Sequence, residues 1–151
     1  MTYPQLEIEI KILDQRVTAP VYATDGSNAC DLVACMDLPF SLYPSDVVKF
    51  RTGFAINIKD FRYAGFILPR SGLATKHGIK LANTVGLIDS DYQGEIIVAL
   101  KNDSDRIFTV NPLDRIAQLV ILPTFRAQFN VVDEFSSVTE RGDGGFGSTG
   151  K

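Results

Sequence analysis

The chain has 151 residues, 45% of them hydrophobic and 22% charged, with a formal net charge of −3 at pH 7. That length suits one domain able to bury roughly two thirds of the surface its unfolded chain exposes, and the composition excludes an intrinsically disordered protein. The negative balance excludes bulk attraction to nucleic acid or to an anionic membrane, so any phosphate must be met locally; no apolar run approaches the ~18 residues of a membrane span, and the reading is a cytoplasmic protein.

In chain order, the first element is "LEIEIKIL", residues 6–13. Leu6, Ile8, Ile10 and Ile12 alternate there with Glu7, Glu9 and Lys11, the period of two expected of a half-buried strand. Next come "DLVAC", "VVKF", "FAINI", "YAGFIL", "EIIVAL", "RIFTV", "RIAQLVIL" and "FNVV", short β-branched and aromatic runs mostly bounded by Pro, Gly, Asn or Asp. Their spacing predicts an all-β protein, a barrel or double-sheet jelly roll, because alternating α/β folds need helical patterns of about 10–15 residues between strands. One helix is expected, in "SGLATKHG" at 71–78, with Ser71 as a possible cap and Gly78 as its stop. If "ACDLVAC" is one strand, Cys30 and Cys35 point to opposite faces about 16 Å apart along it and cannot bond to each other there, so the reading is two reduced, part-buried thiols. The last eleven residues, "RGDGGFGSTGK", contain five Gly and cannot bury apolar area alone. The organisation expected is a single domain over 1–140 and a mobile tail over 141–151.

Four stretches could carry chemistry. The tail matches Gly-x-Gly-x-x-Gly at Gly142, Gly144 and Gly147, but a dinucleotide fingerprint needs a preceding strand, a following helix and a distal acid, and none is available. What remains is Arg141 as a phosphate clamp, Ser148 and Thr149 as donors, and Phe146 as a stacking face; simple disorder fits the composition equally. "NTVGLIDSDYQGE", 83–95, places Asp89, Asp91 and Gly94 like the start of a calcium loop, yet Leu100 stands where the bidentate Glu is required. Ordinary turn chemistry accounts for these acids, and a water-activating carboxylate is the sharper alternative. In "LPRSGLATKHG", 68–78, Arg70 supplies a guanidinium, and Ser71 with Gly72 opens the short helix, either as a plain cap or as an anion site. In "PLDRIAQLVILP", 112–123, Asp114 and Arg115 could form an ordinary pair, while Gln118 is a polar amide among apolar neighbours and needs partners. His77 reads as structural.

Together and in order, these stretches resemble the trimeric dUTPase family, deoxyuridine triphosphate nucleotidohydrolases, over nearly the whole chain. The five matching blocks are "ACDL" at 29–32, "PRSG" at 69–72, "NTVGLIDSDYQG" at 83–94, "DRIAQ" at 114–118 and "RGDGGFGSTG" at 141–150. The resemblance implies a jelly-roll-like, distorted β-barrel homotrimer with one short helix and active sites shared between subunits, each closed by a neighbour's tail. It implies hydrolysis of dUTP to dUMP and pyrophosphate with Mg²⁺, lowering dUTP and supplying dUMP for thymidylate synthesis. Asp89 would be the base acting on the attacking water, assisted by Arg70 and Gln118, with Asp31 an outer-shell partner of the metal through water. Ser71, Gly72 and Gln118 would hold the phosphates, and Arg141, Gly147, Ser148 and Thr149 the γ end. Asn83, Val85 and Gly86 would form the uracil hairpin, Tyr92 would exclude a 2′-hydroxyl, and Phe146 would stack on the base.

Two positions depart from the family pattern. Ala29 stands where a glycine usually precedes the Asp of the first block, which strains Asp31 if that backbone takes positive φ; Leu113 stands where a glycine is common, a turn variation. The alternatives are dCTP deaminase, which shares the fold but uses a Glu on the cytosine ring, and a non-enzymatic nucleotide-binding module.

Overall fold

The computed structural model describes residues 6–145. Ten strands and one helix follow in order: β1 (Glu9–Ile12), β2 (Cys30–Val33), β3 (Phe40–Leu42), β4 (Val47–Asn57), β5 (Tyr63–Leu68), α1 (Ser71–His77), β6 (Ile79–Leu81), β7 (Gly86–Ile88), β8 (Glu95–Asn102), β9 (Phe108–Val110) and β10 (Arg115–Pro123). They form two four-stranded antiparallel sheets, ordered β1-β4-β8-β6 and β2-β10-β5-β7, and a separate β3-β9 pair. The all-β reading with one short helix therefore holds. "VVKF" and "FAINI" fuse into the single strand β4, bent by a register shift between Arg51 and Ala55.

Both large sheets feed one core. Phe54, Ile56, Val98 and Leu100 come from the first, and Leu32, Ile67, Ile116 and Leu119 from the second. Asn102, fully buried at the end of β8, donates through Nδ2 to Leu42 O at 2.9 Å and Arg106 O at 2.7 Å, and accepts from Ser104 through Oδ1. A buried amide so completed ties β8 to β3 without a desolvation penalty.

Two expectations change. The alternation over 6–13 promised a half-buried strand, but β1 is an edge strand whose four residues are all exposed, Ile10 and Ile12 included; only Leu6 and Ile8 pack on the core. "FNVV" is not a strand. After Pro123, residues 124–145 carry neither helix nor strand, and Phe125, Phe129 and Phe135 are 98%, 89% and 90% exposed. Sequence pattern records that these segments have an apolar face but not which chain covers it. Cys30 and Cys35 are buried and unbonded, and burial pushes both thiols up. Among the described residues no helix is long and apolar enough to cross a membrane.

Candidate active site

The register of the second sheet assembles the site. Gln118 on β10 lies opposite Asp31 on β2 and Leu68 on β5, so three separate sequence blocks share one row. Arg70 follows two residues beyond Leu68 and turns back across that row. Its Nε donates to Asp31 Oδ1 at 3.0 Å and its Nη1 to Arg115 O at 3.1 Å, while Arg115 Nη1 donates to Asp31 Oδ2 at 3.3 Å. One carboxylate thus orients two guanidinium groups, leaving a surplus of positive charge suited to an anion.

Beside this cluster is a cavity of about 280 Å³ lined by Arg70, Ser71, Gly72, Leu73, Lys76, His77 and Gln118. Ser71 is not the helix cap. Arg70 occupies the cap position in an extended conformation with no side-chain capping bond, and the helix proper starts at Ser71, one of the residues lining the cavity. An added Cβ at Gly72 would meet nothing within 4 Å, so packing does not demand glycine there. His77 tilts against Phe108 with ring centroids 5.2 Å apart, in keeping with a structural role.

Neither departure from the family pattern disturbs this row. Ala29 is not among the positive-φ residues, and Asp31 keeps its register. Leu113 does take a positive φ, 64°, in the turn between Asn111 and Asp114. Asp114 does not pair with Arg115. Its carboxylate accepts from Asn111 N at 2.7 Å and closes that turn, which frees Arg115 for Asp31.

The uracil hairpin candidates and the candidate base lie elsewhere. Asn83, Thr84 and Val85 form an exposed turn between β6 and β7, with Val85 N–H donating to Asn83 O at 2.7 Å; Gly86 packs closely on Ile67. Asp89 leaves β7 just after Ile88, which pairs with Gly65, whereas Gln118 pairs with Leu68. Strand rise and spacing separate Asp89 from Gln118 by roughly 15 Å, so one chain alone does not bring Asp89 to Arg70, Ser71 and Gln118. Tyr92 N–H donates to Asp89 O at 3.1 Å and Tyr92 Oη to Glu95 O at 3.0 Å. Strands rather than helices flank this loop, against a calcium site. In the tail, Arg141 Nε donates to Gly144 O at 2.9 Å; Phe146, Gly147, Ser148 and Thr149 lie outside the described residues.

Sequence reasoning missed Arg115 as a partner of Asp31, and Lys76 and His77 as cavity residues. The first needs the β2–β10 register; the signal for the other two was their place at one end of a single short helix. Among the described residues no three His, Cys, Asp or Glu side chains cluster to hold a metal. That donor set still fits Mg²⁺, which keeps most of its waters and takes one or two carboxylates plus substrate phosphates. With both Asp31 oxygens already facing guanidinium groups, direct ligation is not open to it, and Asp31 would meet such an ion only through water, beside the substrate phosphates that supply the negative charge.

A cleft lined by Arg70, Lys76, Ser71 and Gln118 on an all-β scaffold has the charge and the donors of an anion-binding site. The family model for dUTPase matches residues 15–150. The chain is 54% identical over 148 residues to deoxyuridine 5′-triphosphate nucleotidohydrolase of Paraburkholderia phymatum, covering 97% of this chain and 99% of the relative. It is 55% identical, with the same coverage, to the protein of that name from Albidiferax ferrireducens. Among solved structures, Staphylococcus bacteriophage 80alpha dUTPase with dUpNHpp aligns with a TM-score of 0.84 at 25% identity over 97% of this chain and 100% of the phage chain. A mutant dUTPase from phage phi11 of S. aureus, described with a structural Mg(II) ion, shares the fold at a TM-score of 0.76 and 23% identity over 87% and 99%. The chain belongs to the dUTPase family and is an enzyme of that kind.

Proposed function

We propose that the protein hydrolyses dUTP to dUMP and pyrophosphate in the cytoplasm, lowering dUTP and supplying dUMP for thymidylate synthesis. The observation that carries this reading is the convergence of Asp31, Arg70 and Gln118 beside Ser71 and Gly72. Asp89 orients a water and takes its proton as the oxygen attacks the α-phosphorus and the bond to the pyrophosphate leaving group breaks. Arg70 and Gln118 meet charge developing on the phosphates, Ser71 Oγ and Gly72 N–H donate to phosphate oxygens, and the held geometry contributes up to about 7–11 kcal/mol. Mg²⁺, when bound with Asp31 in its outer shell, neutralises triphosphate charge.

Asn83 offers a donor and an acceptor to the uracil edge, and the tight hairpin through Val85 and Gly86 leaves no room for a 5-methyl group. The Tyr92 hydroxyl is spent on Glu95 O, so the ring rather than a polar group faces the sugar. A 2′-hydroxyl there goes without a partner. Arg141, Gly147, Ser148 and Thr149 take the γ end and Phe146 covers the base, with the tail over 141–151 acting as the lid of a domain spanning 1–140.

Two features support a jelly-roll-like homotrimer with shared sites. Asp89 stands apart from the phosphate cluster of its own chain, so a complete site draws it from a neighbour. Leu87, Phe66 and Val120 align across β7, β5 and β10 on the outer face, the same face that presents Asp31 and Gln118. Leu87 is exposed there and Phe66 and Val120 are half-buried, and the phenylalanines beyond Pro123 are exposed as well; apolar surface of this kind is what symmetric copies would cover. Pyrophosphate release is to be measured across the deoxynucleotides, with dUTP expected as the productive substrate; ammonia from dCTP in its place would overturn the reading. Asp89→Asn is expected to bind dUTP and to lose nearly all turnover.

A further inference from the structure

Glu95 opens β8 directly after the loop that carries Asp89 and Tyr92, and its half-buried carboxylate reaches back to β4. It accepts from Arg51 Nε at 2.9 and 3.2 Å and from the Gly53 main-chain N–H at 2.9 Å. Those donors sit where the β4–β8 ladder shifts register, between Arg51 and Ala55. The carboxylate therefore supplies the acceptor that a regular ladder would have drawn from a carbonyl. Gly53 itself is closely enclosed. It takes φ +79°, an added Cβ would lie 2.8 Å from Val17 and 3.0 Å from Cys35, and its carbonyl accepts from both Leu13 and Asp14.

From this anchor the connection runs into the loop. Glu95 O accepts the Tyr92 hydroxyl, the Tyr92 side chain lies so close to Gly94 that an added Cβ would fall 2.5 Å from Oη, and Tyr92 N–H holds Asp89 O. We propose that Glu95, clamped by Arg51 and Gly53, is a positioning residue that sets both Asp89 and Tyr92 for the reaction. This rests on Asp89 being the base and Tyr92 the gauge of the sugar. Glu95 touches no substrate in this scheme; it acts through the two residues it fixes.

Glu95→Gln keeps the shape but turns an amide donor toward either Arg51 or Gly53, a donor against a donor. The expected result is a fall of about tenfold in kcat for dUTP with KM nearly unchanged, together with a rise of several-fold in UTP turnover relative to dUTP. The nucleotide ratio is the decisive reading, since general loosening of the fold lowers both rates together. Arg51→Gln, at the exposed side of the clamp, is expected to move both quantities in the same direction by less. It carries the test if Glu95→Gln melts below the assay temperature. The double variant should be no worse than Glu95→Gln, as befits residues acting as one unit. An unchanged UTP to dUTP ratio in Glu95→Gln overturns the proposal, whether or not kcat falls. Asp89→Asn measured alongside separates the layers: a dead Asp89→Asn with an unaffected Glu95→Gln refutes the tether alone, whereas an active Asp89→Asn removes the base and the tether with it.

Discussion

At Gly72 the residue type is decided by something other than the chain's own packing. A Cβ there has open space and the backbone does not take positive φ, so Gly72→Ala should leave the melting temperature unchanged or slightly raised, alanine being the better helix former. If phosphate oxygens approach that amide, the added methyl obstructs them, and KM for dUTP is expected to rise about tenfold; an unchanged KM would remove the contact. Asp14 tests electrostatics away from the site. Side-chain and main-chain hydrogen bonds from Arg16 hold its carboxyl far below the usual range. A folded-state pKa depressed in this way contributes stability above the ordinary ~3.9 that is lost as pH falls through and below that value. Asp14→Asn should accordingly lose less melting temperature than the parent between pH 5 and 3; parallel losses would show that the pair contributes nothing. Single residues were legible where chemistry alone identifies them, as with Arg70 and Gln118. Arg115 was not, because its partner lies on a strand distant in sequence and only register reveals it.

Most long strands declared themselves through alternation and β-branching, and β5 and β10 match their sequence runs closely, whereas β4, the longest, read as two separate runs. β3, β6 and β7 have only three residues each, too few for any period to register. α1 was readable from its stop, Gly78, although its cap was assigned one residue late. The turn before β10 offers a test at this scale. Leu113 holds φ 64° there, a conformation that costs a side-chain-bearing residue about 1–2 kcal/mol. Leu113→Gly relieves that strain and gives back part of it through greater freedom of the unfolded chain. A net gain of about 0.5–1 kcal/mol, seen as a rise of a few degrees in melting temperature, is expected. A fall would mean that the half-exposed leucine is covered in the assembly and contributes more by burial than its backbone costs.

For the whole molecule the central consequence is one of spacing: Asp31, Arg70 and Gln118 meet within one chain, whereas Asp89 lies roughly 15 Å from Gln118. The sequence blocks are legible because each is local, whereas the proposed pairing of one chain's Asp89 with another's Arg70 would leave no trace in either segment. Mixed assemblies expose that pairing. Arg70→Ala and Asp89→Asn chains, each inactive alone, are to be co-refolded in equal amounts and assayed for pyrophosphate release. If every site takes Arg70 from one subunit and Asp89 from another, random mixing restores about one site in four, because each of two independent subunits must be of the right kind. Sites built within one chain recover nothing, since every chain in the mixture lacks one of the two groups. Recovery near a quarter of the parental rate therefore fixes the division of labour between subunits, and no recovery from well-folded mixed assemblies refutes it.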